Sequence, residues 1–99
     1  MTISIQYVKM QNSETMNEYT IAKLQKLSEK YDWVIKANVH FKTAQDHDGR
    51  NKVCEIELSA PGPRIFASST ENNFESAVKE TISDLNTQLK KRKAVRIQH

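Results

Sequence analysis

The sequence has one cysteine, Cys54, and only two glycines and two prolines among its 99 residues. A single thiol excludes an internal disulfide framework and any cysteine-built zinc cluster, and it fits a reducing compartment. Gly49 and Gly62 cannot between them write a G-x-G-x-x-G or Walker loop, so a glycine-cradled nucleotide phosphate is excluded. No apolar stretch approaches the roughly 18–20 residues of a membrane-crossing helix, and no hydrophobic segment of the secretory type follows Met1. A cytoplasmic protein without membrane contact is therefore expected. What is present, 37% hydrophobic residues in a chain of this length, suffices for one domain with one core.

Charge is unevenly placed. Residues 86–99 hold Lys90, Lys91, Arg92, Lys93 and Arg96 and no acid, whereas the rest of the chain has ten basic residues against twelve acidic ones. A slightly acidic body thus carries a strongly basic C-terminal end. That asymmetry points to a partner with phosphates or an acidic surface, or else to a solvated basic tail.

Periodicity predicts the elements. Ile3, Ile5 and Tyr7 alternate with polar residues as a half-buried strand does. Asn12-Ser13 supplies an N-cap, and Met16, Thr20, Leu24, Leu27 and Tyr31, with Ile21, mark one face of a helix. Ala37, Val39 and Phe41, then Cys54, Ile56 and Leu58, form two alternating strands. The polar stretch Asp46-His47-Asp48-Gly49-Arg50-Asn51 should join them as a hairpin. Pro61-Gly62-Pro63 leads into a short strand over Ile65, Phe66 and Ala67. Asn72 or Asn73 opens a second helix with Phe74, Ala77, Val78, Ile82, Leu85 and Leu89 on one face, and this pattern stops past Arg92. The expected fold class is α+β in the order β-α-β-β-β-α: a four-stranded mixed sheet with two helices packed on one face. The helix between the first two strands requires them to be parallel, with a right-handed crossover. Residues 1–93 form the domain, and 94–99 are expected to be a basic, flexible tail.

Catalytic constellations are weak. His40 lies on the polar face of its strand without an acid at fixed spacing, and Ser68-Ser69-Thr70 has no paired histidine. Asp46, His47 and Asp48 stop at Gly49, short of a calcium loop's alternating ligands and closing glutamate. Cys54 alternates in phase with Ile56 and Leu58, as a small buried hydrophobe would. The reading is non-enzymatic, without metal, cofactor or small-molecule substrate. Binding has more support. Tyr19, Lys23, Lys26 and Lys30 fall at i, i+4, i+7 and i+11, one stripe beside the apolar face of the first helix. Such lysines can simply snorkel along the core, but an aromatic-headed line of positive charge also suits a nucleic-acid backbone. Lys90-Lys91-Arg92-Lys93 ends the second helix, with more cations than a helix dipole alone accounts for. If the helices lie side by side, these eight residues can form one RNA-binding surface.

Several segments carry a resemblance to the ribosome hibernation-promoting factors and ribosome-associated inhibitor proteins. They are Ser13-Glu14-x-Met16, Lys23-Leu24-x-Lys26-Leu27-x-x-Tyr31, Val53-Cys54-Glu55-Ile56-Glu57-Leu58 with Pro61-Gly62, Asn73-Phe74-x-x-Ala77-Val78, and Leu85-x-x-Gln88-Leu89-x-Lys91-x-Lys93. The similarity runs from Ile3 to about Lys93, and it is to the short form of the family, without the C-terminal dimerising domain of long members. It implies a monomer that binds small-subunit ribosomal RNA in the decoding channel, overlaps the tRNA and mRNA sites, and inhibits translation under starvation or in stationary phase. Basic residues at the positions of Lys23, Lys26, Lys91 and Lys93 belong to that family's surface. One departure stands out: where the family's second helix reads Lys-Leu-x-Arg-Gln-Leu, this chain reads Asp84-Leu85-Asn86-Thr87-Gln88-Leu89. Asp84, with Glu80 a turn earlier, makes that stretch acidic. The alternative is thus a protein-interaction module on the same fold that has lost RNA binding.

Overall fold

The computed structural model describes residues 1–45 and 50–97, with side chains through Val95. The order is β1 (Thr2–Tyr7), α1 (Glu14–Lys30), β2 (Lys36–Thr43), β3 (Lys52–Ser59), β4 (Ile65–Glu71) and α2 (Phe74–Ile97). The four strands form one sheet in the order β1-β2-β3-β4. β1 runs parallel to β2, as its helical crossover requires, and β2-β3 and β3-β4 are antiparallel. This is the expected α+β architecture.

Register turns alternation into a core. Ile5, Val39, Ile56 and Ala67 lie in one row across the sheet, and Ile3, Ala37, Leu58 and Ile65 in the next. Every inward residue from β2, β3 and β4 in these rows is buried. Against them pack Leu24 and Leu27 of α1 and Ala77, Val78, Leu85 and Leu89 of α2, all in one cluster. Both helices therefore cover the same sheet face. The other face is mainly polar, with Phe66 exposed on it, and carries the ion pairs Lys42–Glu55 at 3.0 Å and Arg64–Glu57 at 3.1 Å.

Each helix begins where a side-chain acceptor meets an orphan backbone N–H. Ser13 Oγ accepts from the Met16 N–H at 3.2 Å. Asn73, rather than Asn72, caps α2, its Oδ1 accepting from the Ser76 N–H at 2.8 Å. Two threonines sit fully buried in the helix faces. The Thr81 hydroxyl donates to Ala77 O at 2.7 Å, whereas Thr20 Oγ1 has no partner among the described residues.

Two boundaries differ from the sequence reading. β4 extends through Ser68–Glu71 because pairing with β3 supplies backbone hydrogen bonds that its polar side chains do not advertise. α2 does not stop near Arg92 but continues to Ile97. The apolar period ends at Leu89, the last buried residue of α2 among those described, and Lys, Arg and Ala then sustain the helix by propensity. Of the hairpin loop read over residues 46–51, positions 46–49 lie outside the described residues, as do 98 and 99 of the expected tail. The strands flanking the loop pair as expected, with Thr43 opposite Lys52.

Candidate nucleic-acid interface

α1 and α2 lie side by side on the sheet, and the seam between them is a groove. Its first segment, about 310 Å³, is lined by Lys23, Lys26 and Lys30 of α1 and by Lys79 and Ser83 of α2, over a floor of Leu27 and Ile82. The second, about 540 Å³, continues past Lys30 and Asn86, which line both, to Tyr31, Lys90 and Lys93. These volumes are those of clefts that admit ligands. Six lysines line the groove and no acid does.

Helix geometry explains the selection. On α2, Lys79, Ser83, Asn86, Lys90 and Lys93 recur at spacings of four and three, which places them on one face. Glu80, Asp84, Thr87 and Lys91 each follow one residue later, hence about 100° around the helix. None of those four lines the groove. The acidic departure at Asp84 consequently leaves the lysine-lined face intact.

Aromatic rings anchor several of the cations. Lys23 Nζ stands 5.3 Å from the Tyr19 ring centroid, a cation–π contact. Lys30 and Lys93 Nζ approach the Tyr31 ring from two helices, at 5.7 and 5.9 Å. Tyr31 is itself buried, so it seats these ammonium groups rather than offering a face for base stacking. Its hydroxyl donates to Asn86 Oδ1 at 3.0 Å, and Lys30 Nζ donates to the same oxygen at 3.4 Å.

Of the eight residues picked out in the sequence, the structure brings Lys23, Lys26, Lys30, Lys90 and Lys93 to the groove, with Tyr19 beneath Lys23. It does not bring Lys91 or Arg92 there. Lys91 is exposed on the adjoining face of α2. The Arg92 guanidinium donates to Pro63 O at 2.6 Å and Pro61 O at 3.4 Å, tying α2 to the β3–β4 turn. Gly62, at φ 98° in that turn, is in the left-handed region that a side chain would strain. Lys79 and Asn86 were missed. Their signal, the four-three spacing back from Lys90, is meaningful only once the groove-facing side of α2 is known.

The catalytic candidates do not assemble. His40 and Ser68 share a row on the polar sheet face, but Glu55 lies between them and pairs with Lys42. A histidine on the far side of a carboxylate is not placed to take the serine proton. Burial, above all, pushes the Cys54 thiol up to about 12, with the nearby Glu55 charge adding and a hydrogen bond from Thr81 opposing. It is not a thiolate at neutral pH.

Fold and groove together define a small α+β domain with a lysine-lined interhelical seam. The family model described as Sigma 54 modulation protein / S30EA ribosomal protein matches residues 3–96, and the chain belongs to that family, the one containing the hibernation-promoting factors. Among solved structures, a ribosomal subunit interface protein from Coxiella burnetii is similar with a TM-score of 0.85, at 23% identity over 95% of this chain and 99% of that one. The N-terminal domain of Thermus thermophilus Protein Y is similar with a TM-score of 0.78, at 22% identity over 92% of this chain and 98% of that one. At such identities the likeness is one of fold. No curated protein matches the sequence.

Proposed function

We propose that this protein associates with the ribosome, binds small-subunit ribosomal RNA in the decoding channel through its interhelical groove, and so inhibits translation during starvation or stationary phase. Membership of the family supports ribosome association. The observation that carries RNA binding is the acid-free alignment of six lysines along one seam. Each ammonium can neutralise one phosphate and release a condensed counterion. The body acts by exclusion: a sheet backed by two helices does not deform to let mRNA or tRNA share its space. No bond is made or broken, and the protein works in the cytoplasm as a monomer. The alternative of an interaction module without RNA binding rests on Asp84 and Thr87, and it loses force because neither lines the groove.

Co-sedimentation with separated ribosomal subunits tests the reading. The protein should pellet with the small subunit at low salt, be released by moderate salt, and inhibit cell-free translation in the same concentration range. Binding that ignores salt would favour a protein surface as the partner, and pelleting with the large subunit alone would reject the decoding channel.

A further inference from the structure

Two ammonium groups of the groove meet one aromatic ring, and no acid lines the groove beside them. Lys30 and Lys93 come from different helices to the same Tyr31 ring, within 6 Å of its centroid. Two positive charges held at one ring raise the local positive potential and so attract an anion. Asn86 lines both groove segments, as Lys30 does, and Lys30 Nζ lies 3.4 Å from its Oδ1. Its amide orientation is fixed by chemistry: a lysine ammonium can only donate, so the atom facing Lys30 must be the oxygen. The Tyr31 hydroxyl donates to that same oxygen. Oδ1 is thus engaged by two donors, and no hydrogen bond among the described residues takes Nδ2. The groove therefore holds two N–H donors on an oriented amide, set among ammonium groups.

We infer that Asn86 is the centre of a discrete phosphate site, in which its Nδ2 donates to a non-bridging oxygen of one RNA phosphodiester whose charge is shared by Lys30 and Lys93. This rests on the ribosomal-RNA reading above and deepens it. The other groove lysines neutralise charge wherever the backbone passes, whereas this site fixes one phosphate in place and so sets the register of the protein on its RNA. Tyr31 is a positioning residue: it touches no ligand, but holds the amide oxygen back and seats both cations.

A hydrogen bond to a charged group and a counterion-releasing contact have different signatures, which separates the two roles. Only the second changes the slope of log affinity against log salt. The experiment measures binding to purified small ribosomal subunits across a salt series for the wild type, Asn86→Ala, Asn86→Asp, Tyr31→Phe and Lys30→Gln. Thermal melting reports the fold of each. Asn86→Ala should lose roughly ten-fold in affinity, the low end for a hydrogen bond to a charged group, with its salt slope unchanged. Asn86→Asp keeps the acceptor for Tyr31 and Lys30, hence the fold, and should bind more weakly still. Tyr31→Phe should lose a few-fold with the slope again unchanged, whereas Lys30→Gln should flatten the slope by about one contact. If Asn86→Ala and Tyr31→Phe bind like the wild type while Lys30→Gln flattens the slope, the lysines bind RNA but the Asn86 site is refuted. The site is equally refuted if Asn86→Ala flattens the slope by a full contact, for then Asn86 merely holds Lys30. Failure of the wild type to bind small subunits would overturn the ribosomal reading itself.

Discussion

Neutralising half of the groove gives a quantitative test of its role. Lys30→Gln, Lys90→Gln and Lys93→Gln together remove three of the six lining lysines. Lys30, Lys90 and Lys93 leave the packed core untouched, because all three are exposed. If every groove lysine meets a phosphate, log affinity should fall against log salt with a slope of roughly −4 to −5, at about −0.7 to −0.9 per contact. Between 50 and 200 mM salt that is a loss of roughly 300- to 1,000-fold. The triple variant should retain a slope of roughly −2 to −3 and lose only about 20- to 40-fold over the same range. Fluorescence anisotropy of end-labelled protein titrated with small subunits measures both slopes. An unchanged slope in a folded triple variant would refute the groove as the phosphate-binding surface.

Further expectations follow from single residues. Lys79→Glu, inside the groove, should weaken subunit binding more than Lys91→Glu, outside it; the reverse order in the same titration would place RNA on the adjoining face of α2. Thr20→Val removes a buried hydroxyl that has no partner among the described residues while keeping the side chain's shape. It should stabilise the fold by about 1 kcal/mol, a rise of roughly 4–8 °C in Tm for a domain of this size, and a lower Tm would show that the hydroxyl is satisfied. The Cys54 thiol is raised from 9.0 to about 12 in the fold, so the unfolded chain gives up this proton first as pH rises. Stability linked to Cys54 is therefore intact below pH 9 and lost between about 9 and 12, by up to about 1.4 kcal/mol per pH unit. Urea melts at pH 8 and 10.5 should show Cys54→Ala losing less stability than the wild type, and equal losses would contradict the assigned burial.

The strands and their phase were legible because alternation and register are one constraint seen twice. A single slip would turn Val39 and Ile56 out to water, so the sequence alone places them on the inner face. The helix starts were equally legible, since Ser13 and Asn73 are of the few types able to cap. What could not be read was anything set by how the two helices lie against each other. Lys79 stands beside Glu80 and looks like part of a mixed solvent face until α1 is laid along α2. Arg92 looks like one more cation in a basic run until the β3–β4 turn comes within reach of its guanidinium. Asp84 looked damaging for the opposite reason, a charge judged by its place in the chain rather than on the helix. The polar half of β4 and the last turns of α2 lack apolar periodicity, and were missed because pairing in one case and propensity in the other hold them.

The most direct test of the central claim is competition on the small subunit itself. Small subunits are preloaded with a short mRNA and its cognate tRNA, challenged with the purified protein at low salt, and separated from unbound ligand by filtration. Occupancy of the decoding channel predicts that the protein and the mRNA–tRNA pair exclude each other, with the groove triple variant displacing far less tRNA at equal concentration. Retention of tRNA on subunits that have also bound the protein stoichiometrically would contradict the account.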